Sequence, residues 1–134
     1  MNEINNIVSD IKKGNTKPIY FLMGEEAYYI DKISEYIAQN VLDETEKGFN
    51  QQVIYGRDSS IEDIVSAAKR FPMMAEKQVI IVKEAQDLSR TIEKLVSYAE
   101  NPQPTTVLVI NYKYKKLDKR KKLHKIIAKT GLIY

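Results

Sequence analysis

Residues Gly24 to Asp31 read Gly-Glu-Glu-Ala-Tyr-Tyr-Ile-Asp and follow the apolar run "KPIYFLM". A strand leading directly into a helix is where a phosphate-binding loop sits in α/β proteins, so this turn is the first place to look for chemistry. The nucleotide template is G-x-x-x-x-G-K-[ST]: glycines admit backbone amides to the phosphates, Lys reaches the terminal phosphates and a hydroxyl holds magnesium. Counted from Gly24, this chain has Tyr29 at the second glycine, Ile30 at the Lys and Asp31 at the hydroxyl. Glu25 and Glu26 add negative charge at a helix N-terminus, which suits the helix dipole and repels a polyphosphate. A magnesium-binding acid is expected at the end of a later strand, and there Lys83 precedes Glu84. The loop is degenerate, and no cofactor is expected.

Other catalytic constellations lack members. His124 is the single histidine, so His-based triads and multi-histidine metal sites have no second residue, and a solvated surface position is expected for it. Glu84 and Asp87 are spaced to pair as carboxylates but equally suit the start of a helix. Cysteine is absent, which excludes disulfides and thiolate metal sites and leaves the cytoplasm as the default compartment. No metal site is expected. The N-terminus has no basic segment followed by an unbroken apolar one, and no apolar run approaches the roughly 18 residues of a membrane span.

The elements that would position these residues alternate in type. Ile4, Ile7, Val8 and Ile11 mark an amphipathic helix closed by Gly14, and "KPIYFLMG" reads as a buried strand. Ile30, Ile33, Ile37 and Val41 line a second helix, and "NQQVIYG" a second strand. Ser59 with Glu62 predicts a capping box ahead of Ile61, Ile64, Val65 and Ala68, in a helix ending near Arg70. "QVIIVKE" is a third strand, and Leu88, Ile92, Leu95, Val96 and Ala99 predict a continuous helix. After "NPQP" come a fourth strand, "TTVLVIN", a last helix marked by Leu123, Ile126 and Ile127, and "GLIY" as the opening of a fifth strand. Continuous apolar strands alternating with helices predict a doubly wound, mainly parallel α/β sheet of five strands, with helices on both faces. The chain has 134 residues, 43% of them apolar and 29% charged, as expected of one domain spanning 1–134. A chain stopping at a strand start suggests a fragment.

Two segments remain. "RFPMMAEKQVIIV" puts Phe71, Pro72, Met73 and Met74 in a connection, where side chains are usually polar; they either fold back as core or are offered outward. The second is "YKYKKLDKRKKLHKIIAK". Between positions 113 and 129 nine Lys or Arg face Asp118 alone, so a chain of net charge +3 is negative elsewhere. Lys115, Lys116, Lys119, Arg120, Lys121 and Lys122 form a basic segment suited to phosphates or to an acidic neighbour, or else a solvated helix face.

The order "KPIYFLMGEEAYYIDKISEYI", "AAKRFPMMAEKQVIIVKEAQDL" and "TTVLVINYKYKKLDKRKKL" resembles the N-terminal domain of delta subunits of the bacterial DNA polymerase III clamp loader, over nearly the whole chain. The resemblance implies an ATPase-like (AAA+ type) P-loop fold whose degenerate site binds no nucleotide. It implies no catalysis by the domain itself, although it would serve within a DNA polymerase holoenzyme. A small helical lid domain and a helical collar domain would follow in the family and are absent here. The implied partners are the ring-shaped DNA sliding clamp (beta), other loader subunits and primed DNA. Delta opens the clamp by inserting apolar side chains into a pocket on the ring. That role falls here on Met73 and Met74 with Phe71 and Pro72, although many relatives carry Leu and Phe, or two Phe, in place of two Met. Two alternatives from other classes are a P-loop nucleotide hydrolase and a stand-alone nucleic-acid-binding module using residues 113–129.

Overall fold

A computed structural model describes residues 2–134. Five parallel strands form one sheet: β1 (Ile19–Gly24), β2 (Gln51–Tyr55), β3 (Gln78–Lys83), β4 (Thr106–Lys113) and β5 (Leu132–Ile133). Their order is β2-β3-β4-β1-β5, so β1 lies between β4 and β5. The doubly wound α/β expectation holds, and "GLIY" does open a fifth strand.

Side chains alternate between the two sheet faces, and each face is closed by its own helices. On one face Tyr20, Leu22, Val79, Ile81, Val107 and Val109 pack under α1 (Asn2–Lys12) and α2 (Ala27–Asn40), which contribute Ile7, Ile11, Ile30, Ile33 and Ile37. On the other, Ile19, Phe21, Ile80, Val82, Leu108 and Ile110 pack under α4 (Ile61–Ala68), α5 (Val96–Glu100) and α6 (Lys122–Thr130). A central strand buried on both faces favours a nearly continuous apolar run, and β4 reads "TVLVINY", with buried Thr106 and Asn111 as its polar exceptions, hydrogen-bonded to the Ala68 carbonyl and to Ser34 Oγ. β2 is an edge strand and is only half-buried.

Three local expectations are corrected. The N-cap of α4 is Ser60, whose hydroxyl accepts from the Asp63 amide at 3.1 Å, so Ser59 and Glu62 form no capping box. The capping box lies instead at Asp43 and Glu46. It starts a short helix, α3 (Glu44–Asn50), that apolar periodicity does not reveal. The helix expected through Leu88 to Ala99 is broken: 3-10 turns at Ala85–Leu88 and Ile92–Leu95 precede the single turn and a half of α5. At the break the Thr91 amide and hydroxyl both donate to the Leu88 carbonyl, at 3.0 and 3.3 Å, the tighter i to i−3 pattern of a 3-10 turn.

Candidate interaction surfaces

In an open α/β sheet the carboxyl ends of the strands form the usual ligand crevice. Gly24 is there as expected, with φ +117, a conformation that a side chain would strain. Its amide donates to the Lys115 carbonyl at 3.0 Å and its carbonyl accepts from the Tyr114 amide at 2.8 Å. These bonds stitch the turn after β1 to the segment after β4, and the Lys116 side chain lies over Gly24. Ile30, at the template's Lys position, has no exposed surface and belongs to the core under α2. Tyr29 is half-buried and packs edge to face against Tyr28, with ring centroids 5.2 Å apart. Glu26 is the N-cap of α2 but makes no side-chain cap bond, so the acidic pair contributes charge alone.

The crevice is occupied by the protein's own cation. Lys113, the last residue of β4, places Nζ 2.9 Å from Asp31 Oδ1 and 3.4 Å from Glu84 Oε2. Burial alone would depress this amine, but the two carboxylates outweigh it and raise its pKa above the ordinary lysine value. Glu84 is held on both sides. Its carboxylate accepts from Gln86 Nε2 at 2.7 Å, and Gln86 Oε1 accepts from the Lys113 amide at 3.1 Å. Glu84 therefore pairs with Lys113, and its bond to Asp87 is a backbone one, from the Asp87 amide to the Glu84 carbonyl. Lys113 was visible in the sequence only as one of many basic residues, since its partners lie 82 and 29 positions away.

At the opposite, amino ends of β2 and β3 lies the connection from α4 to β3. Phe71 is 78% exposed, Met73 60% and Met74 97%, with Pro72 half-buried. The apolar residues point outward and do not return to the core. Met74 has φ +56, so a residue with a Cβ is held in the left-handed region. The loop is fastened by Asn50, the buried last residue of α3. Asn50 Oδ1 accepts from the Met73 amide at 2.6 Å, and Asn50 Nδ2 donates to the Met73 carbonyl at 2.8 Å. Beside it Phe49 is 80% exposed. Neither Phe49 nor Asn50 stood out in the sequence. The available signal was the Asp43-x-x-Glu46 box, which announces the helix that ends on them.

The third region is the basic segment. Most of it is a loop, not a helix face, because α6 begins only at Lys122. Leu117 is its buried anchor, with its amide toward Met23 Sδ at 3.2 Å. Arg120 is engaged with Asp118 at 2.9 Å, and Lys122 with Glu100 at 3.2 Å. The hydrogen bonds from Arg120 hold the Asp118 carboxyl at about 2, below its ordinary value. Lys115, Lys116, Lys119 and Lys121 are exposed and, among the described residues, form no ion pair. His124, on α6, is half-buried and not fully solvated.

The sheet and its helices define a P-loop NTPase-like α/β domain. A DNA polymerase III gamma subunit-related protein from Thermotoga maritima has a similar fold, with a TM-score of 0.64 at 16% identity, over 98% of this chain and 44% of that one. The finer match is to one family: residues 20–133 match the family described as DNA polymerase III, delta subunit, and the chain belongs to it. It is 33% identical to DNA polymerase III subunit delta of Bacillus subtilis over 132 residues. The solved Bacillus subtilis DNA clamp loader delta protein superposes with a TM-score of 0.82 at 29% identity, covering 97% of this chain and 41% of that one. The chain spans 38% of the length of its curated Bacillus subtilis relative.

Proposed function

We propose that this chain is the first domain of a clamp-loader delta subunit, and that it binds the DNA sliding clamp through Met73 and Met74 and helps hold the ring open. The observation that carries this reading is the exposed apolar loop of a family member, with Met74 almost wholly in solvent on a left-handed backbone. Large exposed apolar side chains gathered in one place mark interaction surfaces. Burying one Met contributes about 1.5 to 3 kcal/mol, so the pair supplies about 3 to 6 kcal/mol, or two to four decades of affinity. Met is flexible and polarizable, which suits an adaptable pocket.

The domain is non-catalytic in this reading. Ile30 is core, and Lys113 already engages both Asp31 and Glu84, the carboxylates that would otherwise be available to a metal ion. ATP used by other loader subunits then controls access to the loop, and the lid and collar domains lie outside residues 1–134. The four unpaired lysines before α6 offer a surface to primed DNA or to an acidic neighbouring subunit, with contacts that weaken steeply in salt.

The test is capture of this chain by the immobilised sliding clamp from the same source, with and without ATP and magnesium. Saturable, ATP-independent clamp binding is expected. Saturable micromolar ATP binding would favour the hydrolase instead. Tight, salt-sensitive DNA binding without clamp affinity would favour the free nucleic-acid module.

A further inference from the structure

The surface that meets the clamp extends past the loop onto α3. We propose that Phe49 is a further apolar anchor for the clamp and that Asn50 is the positioning residue that fixes the 71–74 loop beside it; this rests on the clamp-binding reading above.

Asn50 satisfies both backbone groups of Met73 with one side-chain amide, oxygen to N–H and nitrogen to carbonyl. That complementarity admits only one orientation of the amide, and the nitrogen's second bond, to the Glu46 carbonyl at 3.0 Å, fixes it further. The arrangement imitates a pair of strand hydrogen bonds at a place where the chain has no strand. It holds Met73 in place immediately before the left-handed Met74, a conformation a free loop would abandon.

The platform under Asn50 is tied at both ends. The Asp43–Glu46 box caps α3, and at its exit Gln51 enters β2 opposite Val79 while Gln51 Nε2 donates to the Ala38 carbonyl at 3.0 Å. Phe49 is carried on that platform. Its Cα lies one peptide, about 3.8 Å, from that of Asn50, whose side chain bonds the Met73 backbone, so the Cα atoms of Phe49 and Met73 are within about 12 Å of each other. A standard patch of about 800 Å² centred on Met73 and Met74 is wide enough to include the exposed Phe49. An aromatic carried on a fixed helix backbone beside a preset loop binds without the cost of ordering that backbone.

The experiment measures clamp binding by surface plasmon resonance for the unmutated chain, Phe49→Ala, Asn50→Ala and the Met73→Ala/Met74→Ala pair, with thermal melting of each. It also follows amide hydrogen exchange of the unmutated chain. Phe49→Ala is expected to weaken binding about tenfold or more with an unchanged melting temperature, since the side chain is exposed. Asn50→Ala is expected to slow association, because fewer molecules hold the competent loop. In the unmutated chain the Met73 amide is expected to be protected despite its exposure. Normal clamp affinity in Phe49→Ala, with binding lost in the Met pair, overturns the anchor and leaves the clamp reading intact. A Met73 amide exchanging at the free-loop rate overturns the positioning role even if Asn50→Ala does not fold. No clamp binding by the unmutated chain overturns the clamp reading and this inference with it.

Discussion

The two ends of the sheet have been treated in opposite ways. At the carboxyl ends of the strands, where α/β proteins bind ligands, Lys113 is drawn between Asp31 and Glu84 and the turn at Gly24 is sewn to residues 114 and 115. At the amino ends, ordinarily plain connections, Phe49, Phe71, Met73 and Met74 stand in solvent. One end has filled its crevice with its own charge, and the other has left its apolar groups unpartnered. Three non-glycine residues have positive φ among the described residues: Glu84 and Tyr114 at the filled end and Met74 at the open one. Held backbone strain thus gathers at the two places that depart from a plain fold, as it does where function overrides local preference.

The comparison breaks most readily at the open end. Met73→Ala with Met74→Ala is expected to cost at least a hundredfold in clamp affinity, about 3 kcal/mol, while the melting temperature stays within about 2 °C. Calorimetric binding and a thermal melt on one sample check both halves. A mutant that binds like the parent removes the functional meaning of the exposed loop.

At the filled end the effect falls on stability. Lys113→Met leaves Asp31 and Glu84 facing each other, and is expected to cost about 1 to 2 kcal/mol, between the values for exposed and buried pairs. That lowers the melting temperature by roughly 3 to 8 °C while clamp affinity is unchanged. The same variant should not acquire ATP binding, since Ile30 remains core; isothermal titration with ATP and magnesium decides this.

A smaller effect sharpens the role of the left-handed residue. Met74→Gly should be more stable than Met74→Ala by about 1 kcal/mol, because only glycine adopts φ +56 without strain. Both lose the side chain, so the difference in urea midpoint isolates the backbone.

The smallest expected effect is in pH. The raised pKa of Lys113 means that the folded state holds this proton more tightly than the unfolded state. Its contribution is therefore complete below the ordinary value of 10.5 and declines as pH rises through the higher folded value. The stability gap between the parent and Lys113→Met should stay constant up to about pH 10.5 and narrow only above it. Buried Tyr20, Tyr98 and Tyr112, raised chiefly by burial, weaken both proteins on the same side, so only the gap is informative.

The alternation of strands and helices was legible because central strands of a parallel sheet are nearly continuous apolar runs, and "YFLM", "VIIV" and "TVLVIN" announce that directly. The departure from the phosphate template was legible too, since Ile30 stands where the template has a lysine. α3 was not, because seven residues with one buried side chain carry no periodic face, and its capping box was the only mark. The helix expected through 88–99 had the right spacing, but the chain takes the tighter i to i−3 bonding of two 3-10 turns there, which periodicity does not distinguish from an α-helix.

The sequence by itself thus determined the layers, the departure of the Gly24 turn from the phosphate template and the presence of apolar residues in a connection. Tertiary structure alone decided which way Met73 and Met74 face, through an Asn50 that lies 23 positions earlier. It also decided that one lysine among nine basic residues closes the old crevice, because strands β1, β3 and β4 lie side by side and carry Asp31, Glu84 and Lys113 to a common end. Periodicity reports the burial of a face within one element. Pairings between side chains of distant elements depend on which strands become neighbours, and that is fixed only when the sheet assembles.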